Sequence, residues 1–458
     1  MSRILRRSTV LASVTLVAAT TGLAAATTAA ASTQSLEPVR ALKHRAVFDP
    51  RDIAPETIER ARMTFRVDGQ TKRRRVAAGR VRDAATTSTL LRLSKRSTER
   101  VRRLEVIVAD EPTDPPPPAA DPCQFGTFSS QNMPGACWRP YSDASPFNRQ
   151  LPASIPEASG SAAMASRVGN FGPGPQIVAG GAATEMDYDH PIYYSQSSDP
   201  IFTVHCTEPW GTCPLEGMEI RIPDKAQPAG GSDSHLAVID QAAGWEYDLY
   251  DVNSKPAGGG TISIGWGGKT RMDNTTSDGL GSNATAAHFG LAAGVIRPAE
   301  LASGQINHAL AIAVKCTNGT SVAPAGSGTG RSCSSMGLSN QDAPPMGAHF
   351  FLDMSESEIN ALAVPEWRKV ILRAMARYGM FVEDTGADYN GWSLIVESGA
   401  SYTSFGQADP WVTLANDLNL PTWLADGIGR LHLFDLQGTV DWGSKLAVAD
   451  PCVSQAAC

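Results

Sequence analysis

Between residues 123 and 458, short runs rich in β-branched and aromatic residues recur, each closed by Gly, Pro, Asn or Asp. They cover 176–178, 192–194, 201–205, 218–222, 236–239, 246–252, 261–264, 309–315, 349–352 and 392–396. Many short strands separated by turn residues point to a mainly β fold, an antiparallel β-sandwich or jelly-roll. A doubly wound fold would need a helix between successive strands, and this spacing leaves no room for that alternation.

A few helices interrupt the pattern. Ser355 and Glu358 have capping-box spacing. Pro365 suits a helix first turn, and Trp367, Val370, Ile371, Ala374, Met375 and Tyr378 then fall on one apolar face that Gly379 ends. Arg368, Lys369, Arg373 and Arg377 lie on other faces, where solvent would hold them. Asp409-Pro410 would cap a shorter helix reaching Leu418.

The eight cysteines fall in four close pairs: Cys123 with Cys137, Cys206 with Cys213, Cys316 with Cys333, and Cys452 with Cys458. Even, paired cysteines are expected to be disulfides of an exported chain, and neighbour pairing is the simplest connectivity. No Cys-x-x-Cys or Cys/His cluster suggests a metal site. Residues 1–32 read as a secretory signal: Arg3, Arg6 and Arg7 precede an apolar core at 11–19 and the small residues Ala29, Ala30 and Ala31. No later stretch is long and apolar enough to span a bilayer, so a secreted, extracellular protein is expected.

Charge divides the rest of the chain. Residues 33–110 hold 19 Lys/Arg against 10 Asp/Glu, whereas 111–458 hold 17 against 36. The first stretch, with Lys72 to Arg75 as a basic run and strand-like segments at 63–67, 88–93 and 104–108, reads as a small basic β-rich module or pro-region. Its basic run suits an anionic polymer or, equally, solvent or the acidic body. Residues 111–122 form a Pro-rich linker, and 123–458 form the main domain. The acid surplus of that domain disfavours nucleic acid as its partner. A monomer is assumed.

Titratable groups are densest at 235–252, a hairpin pattern in which His235 and Asp240 flank one run and Glu246, Asp248 and Asp251 punctuate the next. In an extended strand Glu246, Asp248 and Tyr250 share one face, about 7 Å between alternate residues. Asp251 points the other way unless a bulge intervenes. Paired carboxylates are the equipment of glycoside hydrolysis, with separations of about 5–5.5 Å or 6.5–9.5 Å according to stereochemistry.

The run Glu246-Tyr-Asp248-Leu-Tyr-Asp251 resembles the Glu-x-Asp-x-x-Glu signature of laminarinase-type β-jelly-roll glycoside hydrolases. That resemblance covers six residues and implies Glu246 as nucleophile, Asp248 as its modulator and Asp251 as acid/base, with Asp standing where the family has Glu. More broadly, 235–240, 246–252, 294–297, 304–310 and 378–382 resemble landmarks of uncharacterised secreted bacterial β-sandwich proteins. That likeness implies that His235, Asp248, Asp251, Arg297, His308 and Asp384 gather near one site.

His235 and His308 stand at strand starts and are candidate catalytic bases, although a strand-edge His is more often structural. Arg297 is a candidate for binding substrate and Glu300 beside it for a simple ion pair. Asp384 opens a turn suited to a cleft rim. The glycine-rich loop 265–283 carries Trp266, Arg271, Asp273, Asn274, Asp278 and Asn283. It would serve as a lid with Trp266 stacking on sugar, as an oxygen-ligand Ca²⁺ site, or simply as a polar loop. Asp187, Asp189 and His190 would also suit a cation. Sugars stack on exposed Trp, and Trp138, Trp210, Trp245, Trp392, Trp411 and Trp442 are spread along the domain, most of them expected in the core.

No nucleophile elbow, zinc-protease helix, phosphate loop or dinucleotide fingerprint occurs. The expectation is therefore a secreted carbohydrate-active enzyme on an extracellular polysaccharide. A glycoside hydrolase needing no cofactor, with Ca²⁺ an option, comes first. Catalysis would fall to Glu246, Asp248, Asp251, His235 and His308, and substrate binding to Arg297, Trp266, Tyr250 and Asp384. The alternatives are a polysaccharide lyase, with His235 or His308 as base, Tyr250 or Tyr378 as acid and Arg297 neutralising a uronate, and a non-catalytic carbohydrate-binding or surface protein.

Overall fold

The computed structural model describes residues 121–458 apart from 274, 327, 329 and 387–390, together with 31–36, 40–42, 45–48, 58–67, 70–76, 80–82, 84, 91–94 and 101–109. The basic end and apolar core of the expected signal, the linker at 111–120, residues 88–90 and Asn274 lie outside these described residues. The chain divides into two units, 1–119 and 120–458.

The first unit is strand throughout most of its described length: β1 (Ala31–Leu36), β2 (Arg40–Leu42), β3 (Arg45–Phe48), β4 (Ile58–Val67), β5 (Gln70–Val76), β6 (Leu91–Ser94) and β7 (Val101–Ala109). An antiparallel sheet runs β1-β7-β4-β5 and a smaller one β2-β3-β6. Lys72 to Arg75 lie within β5, at the edge of the larger sheet. Charged residues on an edge strand oppose its pairing with other chains.

The second unit is also mainly β. Six of its strands, β9 (Ile192–Ser195), β10 (Ile201–Cys206), β11 (Glu219–Arg221), β12 (Leu236–Asp240), β13 (Trp245–Ser254) and β14 (Gly260–Arg271), form one sheet in the order β11-β10-β14-β13-β12-β9. A second sheet is ordered β18-β15-β17-β16-β21, from β15 (Leu310–Val314), β16 (His349–Leu352), β17 (Met380–Thr385), β18 (Trp392–Leu394) and β21 (Leu446–Ala449). A third holds β8 (Gln176–Ala179), β19 (Thr422–Ala425) and β20 (Gly429–Asp435). All ten runs anticipated in this domain form strands. The sheets are mixed: β10/β14, β12/β9 and β15/β17 are parallel pairs. A run's composition marks it as strand but does not name its neighbour.

The six-stranded sheet is buried on both faces at its centre. Ala237 and Ile239 of β12 enter a large core shared with Leu310, Ile312, Phe381 and Val382 of the second sheet. Leu236, Val238, Tyr247 and Leu249 enter a separate core with Phe202, Val204, Leu215 and Ile220. Burying one such Leu or Ile contributes roughly 1.5–3 kcal/mol.

Helices α1 (Ser161–Gly169) and α2 (Pro298–Ser303) precede the expected pair, α3 (Glu356–Ala361) and α4 (Glu366–Arg377), and are followed by α5 (Ala400–Thr403) and α6 (Pro410–Asp417). The capping box at Ser355 and Glu358 forms, and Asp409 caps α6 by accepting from the Trp411 amide. On α4, Trp367, Val370, Ile371, Ala374 and Met375 are buried as their spacing requires. Arg373 and Arg377 pair with Glu356 of α3 rather than standing alone in solvent.

All eight cysteines are bridged, each to the neighbour expected. Cys123 joins Cys137, and Cys206 joins Cys213. Cys316 joins Cys333, and Cys452 joins Cys458. The first bridge pins the start of the second unit and the last pins its end. The two between them close short loops after β10 and β15. Each contributes about 2–4 kcal/mol by restricting the unfolded chain. Among the described residues no helix is long and apolar enough to cross a membrane. Four disulfides fit an oxidising, extracytoplasmic setting.

Candidate functional site

The hairpin at 235–252 forms with β12 and β13 antiparallel, Ile239 opposite Glu246 and Ala237 opposite Asp248. Its two inward carboxylates expose nothing to solvent. Oε2 of Glu246 accepts from the Tyr141 hydroxyl at 2.6 Å, and Oε1 accepts from the Ala292 amide at 2.7 Å. Segment 277–293 roofs this face so closely that a side chain on Gly268, opposite Asp248, would lie 2.3 Å from the Asn283 nitrogen.

Burial pushes the Glu246 carboxyl up, with Tyr141 and Ala292 opposing. Asp248 is pushed up further, by burial and then by the Glu246 charge. Neither Asp248 oxygen has a hydrogen-bond partner of ordinary geometry, although Ser282, the Leu291 amide and Glu246 are its polar neighbours. A protonated Asp248 beside a better hydrogen-bonded Glu246 charge is the arrangement these surroundings favour. The pair expected to act on substrate is thus sealed inside the domain. Strand alternation places both on one face, and the roof supplied by distant loops is what buries it.

Asp251 does not join that pair. Its backbone sits in the left-handed region at φ 52°, and the ladder with β14 shifts just after it. Its amide donates to the Asp233 carbonyl at 2.8 Å, which ties the end of β13 to the segment leading into β12. The turn moves Asp251 to the rim of the sheet, half-buried beside Asp233.

That rim is where groups from both large sheets converge. The Tyr250 hydroxyl is raised by partial burial and then by the charges of Asp233, Asp251, Asp384 and Glu208. Asp384 lies near the end of β17, where the pairing with β15 skips Glu383. Its carboxyl is pushed up to about 6, by burial first and with the Asp233 charge adding, against the Thr385 and Ala286 amides and Arg331. Burial also raises Asp233, with Ser232 and Arg331 opposing. Glu383 beneath them is buried with both carboxyl oxygens unpartnered and is pushed well up by burial.

His235 is 5% exposed, and its ring lies 4.9 Å from that of His190 and 5.7 Å from that of Tyr250. Its nitrogens make no hydrogen bond of ordinary geometry, although the Ala284 backbone is near enough to favour protonation slightly. Burial holds it neutral, at about 4. Nδ1 of His190 donates to the Leu291 carbonyl at 2.8 Å. Trp210, 60% exposed on the loop closed by Cys206 and Cys213, leans on Tyr250 at 5.7 Å and Trp266 at 5.8 Å.

Ser234, Asp251 and His288 all hold positive φ without being glycine. Such backbones cost about 1–3 kcal/mol each and persist where the surroundings dictate them, often at working sites. Ser234 lies between Asp233 and His235, and Asp251 directly follows Tyr250.

Other candidates lie elsewhere. Arg297 is 2% exposed and serves the core. Its guanidinium donates to the carbonyls of Gly135 and Trp138 and to Glu300 at 2.8 Å. Nε2 of His308 bonds the same Glu300 at 3.1 Å. Burial alone would raise the Glu300 carboxyl, but Arg297 and His308 outweigh it and hold it down at about 2. The ion-pair expectation for Arg297 and Glu300 describes this network, in which Arg297 and His308 both bond Glu300 in the core.

The stretch expected as a loop from Gly265 is strand as far as Arg271. Trp266 lies opposite Tyr250 in the ladder and is 8% exposed, so it backs Trp210 rather than forming a lid. Asp273 spends its carboxylate on the amides and hydroxyls of Thr275 and Thr276. Asp187 accepts from the Ala183 amide and Ser398 hydroxyl and, like Asp189, is raised by burial. Among the described residues no group of three His, Cys, Asp or Glu side chains is placed to hold a metal ion.

Asp233, Glu208 and Arg331 carry no sequence signal strong enough to single them out, and Trp210 stands in the sequence as one of several tryptophans. The usable hints are local. Asp233 lies two residues before His235, and Trp210 sits in a short disulfide ring that leaves it little to pack against. No family model matches the chain, and no curated protein or solved structure matches it.

Proposed function

We propose that the protein is a secreted carbohydrate-active hydrolase whose working carboxylates are Asp384 and Asp233 on the rim. The observation that carries this reading is the convergence of Asp384 from one sheet, Tyr250 from another and Asp233 from the turn before β12, beside the exposed Trp210. A carboxyl held at about 6 retains a proton that an ordinary aspartic acid has lost. Asp384 gives that proton to the departing glycosidic oxygen. Asp233, whose charge Arg331 favours against burial, takes a proton from the attacking water, and water adds across the broken bond. Trp210 offers a face on which a sugar ring stacks.

The lyase reading is less favoured, because Arg297 and His308 are committed to Glu300 in the core. The non-catalytic reading leaves the raised Asp384 without a role.

The test is a polysaccharide panel read by reducing ends and by the ultraviolet absorbance of unsaturated products. Asp384→Asn and Asp233→Asn should each abolish reducing-end release while the unfolding temperature is kept. Full activity in both variants would overturn the assignment, and unsaturated products would move it to a lyase.

A further inference from the structure

Resting on that reading, we infer that the substrate is a glycan carrying protonated amino groups, such as a partly or fully de-N-acetylated amino-sugar polymer. Four carboxylates, Asp233, Asp251, Asp384 and Glu208, lie near enough to Tyr250 for their charges to bear on it. Among the described residues one cation, Arg331, bears on Asp233 and Asp384. Asp384 and Asp233 are taken by the reaction. Glu208 and Asp251 remain, both half-buried, and neither is joined to a cation in an ion pair of the described residues.

Two further observations point to a ligand rather than to an acidic surface. Trp210 is a large apolar side chain left 60% exposed and tilted against Tyr250 and Trp266. A ring face there attracts both the C–H face of a sugar and an ammonium group held above it. His235 is only 5% exposed and turned toward Tyr250, with neither nitrogen bonded in ordinary geometry. A buried polar ring of that kind is ordinarily satisfied, and a hydroxyl or amine of a bound sugar would satisfy it.

The charge balance selects among glycans. A uronate would bring its carboxylate beside those of Asp233, Asp251 and Glu208, and like charges at close range disfavour binding. A neutral or N-acetylated sugar would leave Glu208 and Asp251 desolvated by the ligand with no cation brought to offset their charge. An ammonium group satisfies them, at a strength that salt screens. The backbone geometry supports the placement: the Glu208 amide donates to the Gly265 carbonyl, next to Trp266, and the Asp251 amide donates to the Asp233 carbonyl.

The experiment compares polyglucosamine, its N-acetylated counterpart and a polyuronate of similar length on the full chain and on the Glu208→Gln/Asp251→Asn double variant. Turnover should be fastest on polyglucosamine, and the double variant should raise KM for it about tenfold with kcat unchanged, in keeping with two partly exposed charge pairs. High salt should reproduce that rise in the parent and not in the variant. Trp210→Ala should weaken binding of all stacking sugars alike. Equal turnover of the N-acetylated polymer, preference for the uronate, an unchanged KM in the double variant, or no binding of polyglucosamine would overturn the inference and leave the hydrolase reading standing on whichever polymer is cut. Binding of polyglucosamine without cleavage would overturn the hydrolase reading and keep the amine recognition.

Discussion

The Tyr141 hydroxyl donates a 2.6 Å hydrogen bond to Oε2 of Glu246, and both residues are buried. Tyr141 arrives there from a loop 105 residues earlier in the chain, with its own backbone at φ 69°. The bond therefore closes a long-range contact across the core and satisfies a carboxylate that water cannot reach. Removing the hydroxyl in Tyr141→Phe keeps the ring and strips the carboxylate of one of its two donors. Leaving a buried acceptor short costs about 1–3 kcal/mol. Urea unfolding should show that loss, with little change in sugar release per folded molecule. Unchanged stability would mean that the buried acid does not depend on this donor.

The buried ion network around α2 carries a second expectation. Arg297, Glu300 and His308 are each at most 3% exposed. Arg297→Met preserves bulk and removes the charge that holds Glu300 ionised. Breaking a buried pair by deleting one partner costs about 3–5 kcal/mol, because the remaining charge stays buried. The unfolding midpoint should fall accordingly. A variant of parental stability that instead loses substrate affinity would return Arg297 to a binding role.

These contacts mark the limit of what the sequence reveals. The strands, the cap at Ser355, the apolar face of α4 and the four disulfides are local patterns, each readable from neighbouring residues. Alternation along β13 likewise shows that Glu246 and Asp248 share a face. Whether that face meets solvent is decided by Tyr141, Ala292 and the 277–293 roof, which no local pattern connects to β13. The parallel pairings of β12 with β9 and β15 with β17 are non-local in the same way. Asp251 turns on one backbone angle, and Asp233 and Asp384 become neighbours only when two sheets come together. The rim is thus half legible: Tyr250, Asp251, His235 and Asp384 stand out in the sequence, while Asp233 and Glu208, which complete it, do not.

Glu397 makes stability depend on pH in a defined direction. It is 1% exposed, Tyr402 donates to its Oε2 at 3.2 Å, and its Oε1 has no hydrogen-bond partner of ordinary geometry, although the Ser401 hydroxyl is a polar neighbour. Burial raises its carboxyl to about 7, with Arg297 opposing. In the unfolded chain a glutamic acid titrates near about 4.3. Between those values the folded state holds the extra proton, so this contribution is complete below about pH 4 and is lost as pH rises through about 7. Glu397→Gln is neutral throughout and keeps an acceptor for Tyr402. The variant should match the parent near pH 4 and exceed it at pH 8 by roughly 1–3 kcal/mol. Parallel stability curves for the two proteins would contradict the raised pKa.

Gly268 tests the roof directly. An added Cβ would stand 2.3 Å from the Asn283 amide nitrogen and 3.1 Å from the Ser282 carbonyl carbon, both backbone atoms that have no rotamer to escape by. Gly268→Ala should therefore lift the 277–283 segment and lose about 1–3 kcal/mol, the usual cost of overpacking. Gly443 provides the control, since its added Cβ meets nothing closer than 3.7 Å. It lies within a short helix at Trp442–Lys445, where Gly→Ala should be neutral or gain about 0.4–1 kcal/mol. Lifting the roof should also admit water to Asp248 and Glu246, bring their carboxyls back toward ordinary values, and so flatten the pH dependence of stability. Urea unfolding of both variants from pH 4 to pH 8 reads the two effects together. A Gly268→Ala protein as stable as the parent at every pH would show that the roof is not what seals the buried acids.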